Sequence, residues 1–291
     1  MGQGMKYKFR KFVLAIVVLS LGACVTFKER AYAFAKGQDR PYDMVELSDD
    51  LFYVGTSDIA VYALKTDAGV ILFDTGYKHT HDLVVENIKA ADIKLSDIKL
   101  ILNTQAHMDH ASGMEKMRSE TSAEVRALEI ARGELMRGGR DDFSILTSLM
   151  PFDRVTKVTK LAEAETSLGS TQIAAYNTPG HTKGCTSWSF NTKIQGVDRH
   201  VTLLCGFVVL PFTKLDNNSK YPNIRSDYLD SIKVLEAFKD NCDIILTPHR
   251  KHGDTKRTIE DLDNEIYKVD RKRCQRILDD EINYIEIKLG L

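Results

Sequence analysis

The chain has 291 residues, of which 43% are hydrophobic and 28% charged, enough to bury a sizeable core in one large domain or two small ones. A formal net charge of −1 gives no electrostatic ground for binding nucleic acid or an acidic polymer. That balance conceals an asymmetry at the start of the chain.

Lys6, Lys8, Arg10 and Lys11 precede the apolar run Phe12 to Leu21, with no acidic residue among the first 23. A basic segment followed by a short apolar one is the pattern of an export signal, and this one is too short to span a membrane comfortably. It ends Leu21-Gly22-Ala23-Cys24, which resembles a bacterial lipobox. Cleavage there would leave a lipidated Cys24 and place the mature chain in the periplasm, anchored to the outer membrane. The competing reading is an ordinary signal peptide cut after Ala35, but Ala35 lies far beyond the apolar run. The expected organisation is a signal peptide over 1–23, a poorly ordered lead-in over 24–43 and a single domain over 44–291. Four cysteines remain, Cys185, Cys205, Cys242 and Cys274. An oxidising compartment admits disulfides among them, in three full pairings, and small buried hydrophobes are the competing reading.

Along the domain, Leu51 to Gly55, Val61 to Lys65 and Gly69 to Phe73 are strand-like runs spaced by Ser, Asp and Gly. They predict an antiparallel meander closed by the turn Asp74-Thr75-Gly76. Apolar residues at Leu83, Val84 and Ile88 predict a helix over Asp82 to Ala91, and Lys99 to Leu102 a buried strand. Helices are expected over Ser112 to Glu120 and Leu128 to Met136, followed by a loop at Gly138 to Asp142. The second half repeats the style but not the sequence. Strands are expected over Gln172 to Tyr176, Thr186 to Phe190, Val201 to Phe207 and Asp243 to Leu246, and a helix over Ser226 to Phe238. A C-terminal helix packed by one face is expected within Lys256 to Ile287. Two comparable halves imply an α/β fold with two packed sheets and helices outside.

The chemistry concentrates in Asn103-Thr104-Gln105-Ala106-His107-Met108-Asp109-His110, directly after the buried strand. Two imidazoles around a carboxylate are the donors that catalytic zinc uses, with a position left open for water. Two further histidines follow strand-like runs, in Pro179-Gly180-His181-Thr182 and in Thr247-Pro248-His249. Taken singly, each is more often a hydrogen-bonded histidine than a ligand, and Asp109 alone could cap the helix at Ser112. The grouping of His107, Asp109 and His110 resists such readings. His79, His81, His200 and His252 are read as lying outside the ligand set.

These residues resemble the metallo-β-lactamase superfamily, whose motif is His-x-His-x-Asp-His. Asp74-Thr75-Gly76 is similar to its early Asp-containing turn, and Gly180 to Trp188 to its second metal motif. The Trp, the segment Gly138-Gly139-Arg140-Asp141-Asp142-Phe143, Tyr221-Pro222 with Asp227-Tyr228, and Cys242-Asp243 leading to His249 are similar to subclass B3 in particular. The resemblance covers about residues 44 to 290. It implies a four-layer αβ/βα sandwich and a zinc hydrolase that opens the ring of small β-lactam antibiotics, with Asp109 as the catalytic carboxylate; the sequence does not fix the oligomeric state, and a monomer is the favoured reading. One zinc site would use Gln105, His107 and His181, the other Asp109, His110 and His249. Cys242 and Cys274 resemble a pair that forms a disulfide in several members, whereas Cys185 is read as packing.

Gln105 stands where the motif has its first His, as it does in the GOB-type enzymes of the subclass. A neutral amide oxygen is a poorer zinc donor than imidazole, so the Asp109 site is expected to fill preferentially. Many members carry serines after the strand that here ends at Cys205-Gly206; this chain has Phe207-Val208-Val209. The alternatives are a hydrolase of the same fold acting on a lactone, thioester or phosphodiester, and a non-catalytic zinc-binding lipoprotein. Relatives with bridging metals usually add a second Asp after the later strand, and Cys205-Gly206-Phe207 supplies none.

Overall fold

Side-chain alternation along the strands builds the molecule, because each strand of the first sheet serves two cores at once. The computed structural model describes residues 39–162, 164–249 and 269–291. Strands β1 (Val45–Glu46), β2 (Leu51–Tyr53), β3 (Tyr62–Thr66), β4 (Gly69–Phe73), β5 (Ile98–Leu102), β6 (Glu124–Ala127) and β7 (Val158–Lys160) form one sheet in that order. The pairs from β1 to β4 are antiparallel and those from β4 to β7 parallel. In β3 and β4, Tyr62, Leu64, Ile71 and Phe73 point to one core, and Ala63, Val70 and Leu72 to the other. The period of two in strand side chains produces this split.

The second sheet has the order β12-β11-β10-β9-β8. Its strands are β8 (Glu165–Leu168), β9 (Thr171–Asn177), β10 (Thr186–Ile194), β11 (Val197–Leu203) and β12 (Ile244–Leu246). All pairs are antiparallel except β11 with β12. Trp188, Phe190, Val201, Leu203 and Leu246 meet the inward residues of the first sheet in a shared central core. Phe73 stacks on Phe190 with ring centroids 4.9 Å apart.

Helices cover both outer faces. On the first sheet lie α1 (His81–Ala90), the short α2 (Met108–Ala111), α3 (Met114–Thr121) and α4 (Glu129–Arg137), through Val84, Ile88, Met114, Met117, Ala131 and Leu135. The short α5 (Ile145–Ser148) follows. On the second sheet lie α6 (Ile224–Phe238) and α7 (Arg271–Leu289), through Ile224, Leu235, Leu278, Ile282 and Ile285. Helix, sheet, sheet, helix is the four-layer αβ/βα sandwich, and Pro41–Leu291 form one compact unit. Among the described residues no helix is long and apolar enough to cross a membrane.

The meander, the helix after Asp74 and the helices α4 and α6 lie within a residue or two of expectation. Three differences have physical causes. The strand expected over Val201 to Phe207 stops at Leu203, because Leu204 and Phe207 are buried in the outer helical core rather than in the sheet, so the apolar run outlasts the ladder. It also begins earlier, at Val197, where Gln195 and Gly196 both take positive φ and close a two-residue hairpin. Asp109 does not cap a helix: it sits in the first turn of α2, with His107 at the cap position. The proposed signal segment over 1–23, Cys24, Ala35, His252 and the stretch from Lys256 to Lys268 lie outside the described residues.

Candidate metal centre

Every candidate ligand follows the C-terminal end of a strand. β4 and β5 run parallel and deliver Asp74 and the 105–110 segment to one edge of the first sheet. β9, β11 and β12 run in one direction, and deliver His181, the 206–208 segment and His249 to one edge of the second. In open α/β sheets that edge is where ligands bind. The two edges are joined: Thr186 N donates to Thr104 O at 2.8 Å, and Trp188 Nε1 to Asn103 O at 3.2 Å. His249 is held from the first sheet's side by Ala60 N to Pro248 O at 3.0 Å and Tyr62 Oη to Thr247 O at 2.8 Å.

Asp109, His110 and His249 converge. The Nε2 atoms of His110 and His249 lie 3.0 Å apart, and Asp109 Oδ2 lies 3.3 Å from each. Asp74 sets the orientation of His110. Its backbone is in the left-handed region at φ 61°, tolerated better by Asp than by most residues. One carboxylate oxygen accepts from Asn103 Nδ2 and Thr104 N at 2.8 and 2.7 Å. The other accepts from Thr104 Oγ1 at 2.6 Å and from His110 Nδ1 at 3.1 Å, which leaves His110 Nε2 to face the cluster. Burial by itself would hold His110 neutral; the Asp109 carboxylate, then Asp74, overcome it and raise His110 to about 10. Burial likewise opposes the charge on Asp109, yet His110 and His249 hold its carboxyl well below the usual range. The pocket therefore favours a positive charge at its centre.

Gln105, His107 and His181 form the neighbouring group. The two imidazoles meet edge to face with centroids 4.8 Å apart. Asp142 Oδ2 lies 2.8 Å from His107 Nε2, turning Nδ1 inward, and Val208 O accepts from His181 Nδ1 at 2.6 Å, turning Nε2 inward. Burial, then His107, pushes His181 down to about 3, so it is neutral and able to donate a lone pair. Gln105 is 1% exposed, and its Oε1 has no hydrogen-bond partner among the described residues. Gly206 leaves the space open, since a Cβ there would come 3.4 Å from Gln105 Nε2 and 3.7 Å from the His181 ring.

Sequence reasoning singled out the turn at Asp74 and the segment at Asp142 without giving either a task; both turn out to orient imidazoles. It also read Cys185 as packing, whereas the structure pairs Cys185 with Cys205 at a Cα separation of 5.8 Å. The ladder alone would not have shown it, for extending the Trp188–Leu203 register sets Cys185 opposite Gly206 and Cys205 opposite Thr186, one position out of step. Cys242 pairs with Cys274, tying β12 to α7.

A sandwich of two sheets with imidazoles and a carboxylate gathered at its strand ends defines a metal-dependent hydrolase. Residues 54–193 match the metallo-β-lactamase superfamily. Native FEZ-1 metallo-β-lactamase from Legionella gormanii superposes with a TM-score of 0.78 at 31% identity, covering 86% of this chain and 97% of that one. MEM-A1, a subclass B3 metallo-β-lactamase isolated from a soil metagenome library, superposes with a TM-score of 0.77 at 25% identity, over 86% and 97%. The metallo-β-lactamase GOB-18 from Elizabethkingia meningoseptica gives 0.75 at 26% identity, over 86% and 92%. The chain belongs to the metallo-β-lactamase superfamily.

The donors fit the zinc that this family implies. Tetrahedral zinc takes N and O ligands at about 2.0–2.2 Å, which places neighbouring ligand atoms about 3.3–3.6 Å apart, close to what is found here. The separations among Asp109, His110 and His249 are 3.0 to 3.3 Å. The partnerless Gln105 oxygen, buried beside two inward-turned imidazoles, fits a second cation.

Proposed function

We propose that this chain is a subclass B3 metallo-β-lactamase of the GOB type, with Gln105 in place of the first motif histidine, hydrolysing β-lactam antibiotics. The observation that carries this reading is the convergence of Asp109, His110 and His249 in a chain whose relatives at 25–31% identity are β-lactamases. Zinc bound by these residues supplies Lewis acidity and a strong nucleophile from water at neutral pH. Asp109 would help hold that nucleophile and orient it toward the lactam carbonyl. Asp74 fixes His110, and the contacts at Pro248 and Thr247 fix His249, so the donors need no rearrangement during the reaction. Hydrolysis adds the hydroxyl to the lactam carbonyl carbon, breaks the C–N bond and delivers a proton to the departing nitrogen.

Gln105, His107 and His181 form the weaker of two half-sites. Among the described residues no carboxylate is offered from the second sheet at the place where Gly206 adjoins Gln105 and His181, which disfavours a phosphodiesterase with bridged metals. Export through residues 1–23, a lipid on Cys24, periplasmic location and a catalytic domain over 44–291 complete the proposal. N-terminal mass spectrometry of the membrane fraction tests the lipid: a chain beginning at Lys36 overturns it.

The function is tested with purified, zinc-loaded protein and a chromogenic cephalosporin. Hydrolysis that a chelator stops is the expected result, with Asp109→Asn, which replaces a charged donor of the metal site by a neutral amide, lowering kcat/KM by about 10²-fold or more. A zinc-loaded chain inert toward every β-lactam class sinks the proposal.

A further inference from the structure

The loop that carries His181 is braced from several sides. Thr178 N donates to Cys185 O at 2.9 Å and closes its base, while Ser231 Oγ on α6 donates to Pro179 O at 2.6 Å. On the other side it rests on α4. Gly184 has no room for a side chain there, since a Cβ would come 2.5 Å from Ala131 Cα and N. At the same contact, Glu134 Oε2 accepts from Gly184 N at 3.2 Å. A half-buried glutamate behind this loop needs a physical reason, because drawing a carboxylate away from water costs free energy unless it is partnered.

We propose that Glu134 is a positioning residue for His181, its side chain holding the Gly184 amide and so fixing the 179–185 loop where His181 meets His107. The short stretch from Glu134 to Asp142 then governs both imidazoles: Asp142 acts on His107 directly at 2.8 Å, and Glu134 acts on His181 through the loop backbone. Burial, then Asp142, pushes the Glu134 carboxyl up to about 7, against the pull of His107 and the Gly184 amide. Either protonation state can accept the amide hydrogen, so the role asks only for an oxygen at the right reach.

This rests on the reading of His181 as a ligand of the weaker half-site. Two variants separate reach from charge. Glu134→Gln keeps the reach and removes the charge; Glu134→Asp keeps the charge and withdraws the oxygen by one methylene. Full-length mature protein with ¹⁵N-labelled histidine is compared metal-free, by its imidazole signals, and then titrated with Co²⁺ alone. Outer-shell changes commonly cost 10–100-fold in metal affinity, so Glu134→Asp is expected to weaken the second Co²⁺ equivalent by about that factor, with Glu134→Gln within about threefold of wild type. The His181 signals should move in Glu134→Asp and stay in Glu134→Gln, with those of His110 unchanged in both. His181 signals identical in all three chains, or as disturbed by Gln as by Asp, overturn the proposal. If wild type saturates at one Co²⁺, the two-site reading falls, while the metal-free signals still judge Glu134.

Discussion

At the scale of single residues, the centre depends as much on what turns the imidazoles as on the imidazoles themselves. Asp74 is the clearest case. Its two oxygens take four donors, and only one of these belongs to a candidate ligand; the rest lock the carboxylate so that His110 has one orientation. Asp74→Asn replaces an acceptor with a donor that must face Thr104 or the His110 Nδ1–H. Metal affinity should fall about 10- to 100-fold by dialysis against competing chelator, the usual cost of losing such an orienting group. An unchanged affinity would show that His110 needs no such restraint. Gln105 makes the opposite prediction. Its buried oxygen, without a hydrogen-bond partner among the described residues, is a weak donor where imidazole is strong. Gln105→His should raise zinc retained per chain after dialysis, and metal analysis showing equal retention would mean that Gln105 is not a ligand.

At the scale of elements, α7 carries a charge in an unfavourable place. Burial, then Asp280, pushes the Glu281 carboxyl up to about 7 from its ordinary 4.5. A carboxyl with a raised folded pKa stabilises the fold while protonated. Its contribution is complete below about pH 4.5 and is lost as pH climbs through about 7. Urea melts of Glu281→Gln and wild type should therefore differ more at pH 8 than at pH 5, with the variant gaining on wild type by at most about 3 kcal/mol. A constant difference across that range would contradict the burial of this group. The same scale shows what the chain made legible. The strand runs ending at Phe73, Leu102 and Leu246 were readable because all three are buried and terminate at a turn or a ligand. The ladder ending at Leu203 was not, since Leu204 and Phe207 are equally apolar but belong to the helical core behind the sheet. Ligand candidates were legible from donor type and position. Asp142 and Glu134 were given no task, because a carboxylate's role in orienting a histidine or a loop depends on contacts between distant segments.

At the scale of the whole molecule, the proposed metal is a link between sheets. Asp109 and His110 come from the edge of the first sheet and His249 from the edge of the second. These donors are brought together only when the two sheets pack, so a metal that needs all three binds the folded chain and not the unfolded one. Free metal at about 100 times its dissociation constant then adds about 2.7 kcal/mol to stability. For a domain of this size each kcal/mol moves the melting temperature by roughly 2–4 °C, so saturating zinc should raise it by roughly 5–10 °C. A chelator should remove that increment together with activity. His249→Ala, which takes away the second sheet's contribution to the Asp109 site, should lose most of this zinc-dependent rise, keeping only what the weaker half-site supplies. Calorimetry that finds the same zinc-dependent rise in His249→Ala as in wild type would place the stabilising metal elsewhere than at Asp109, His110 and His249.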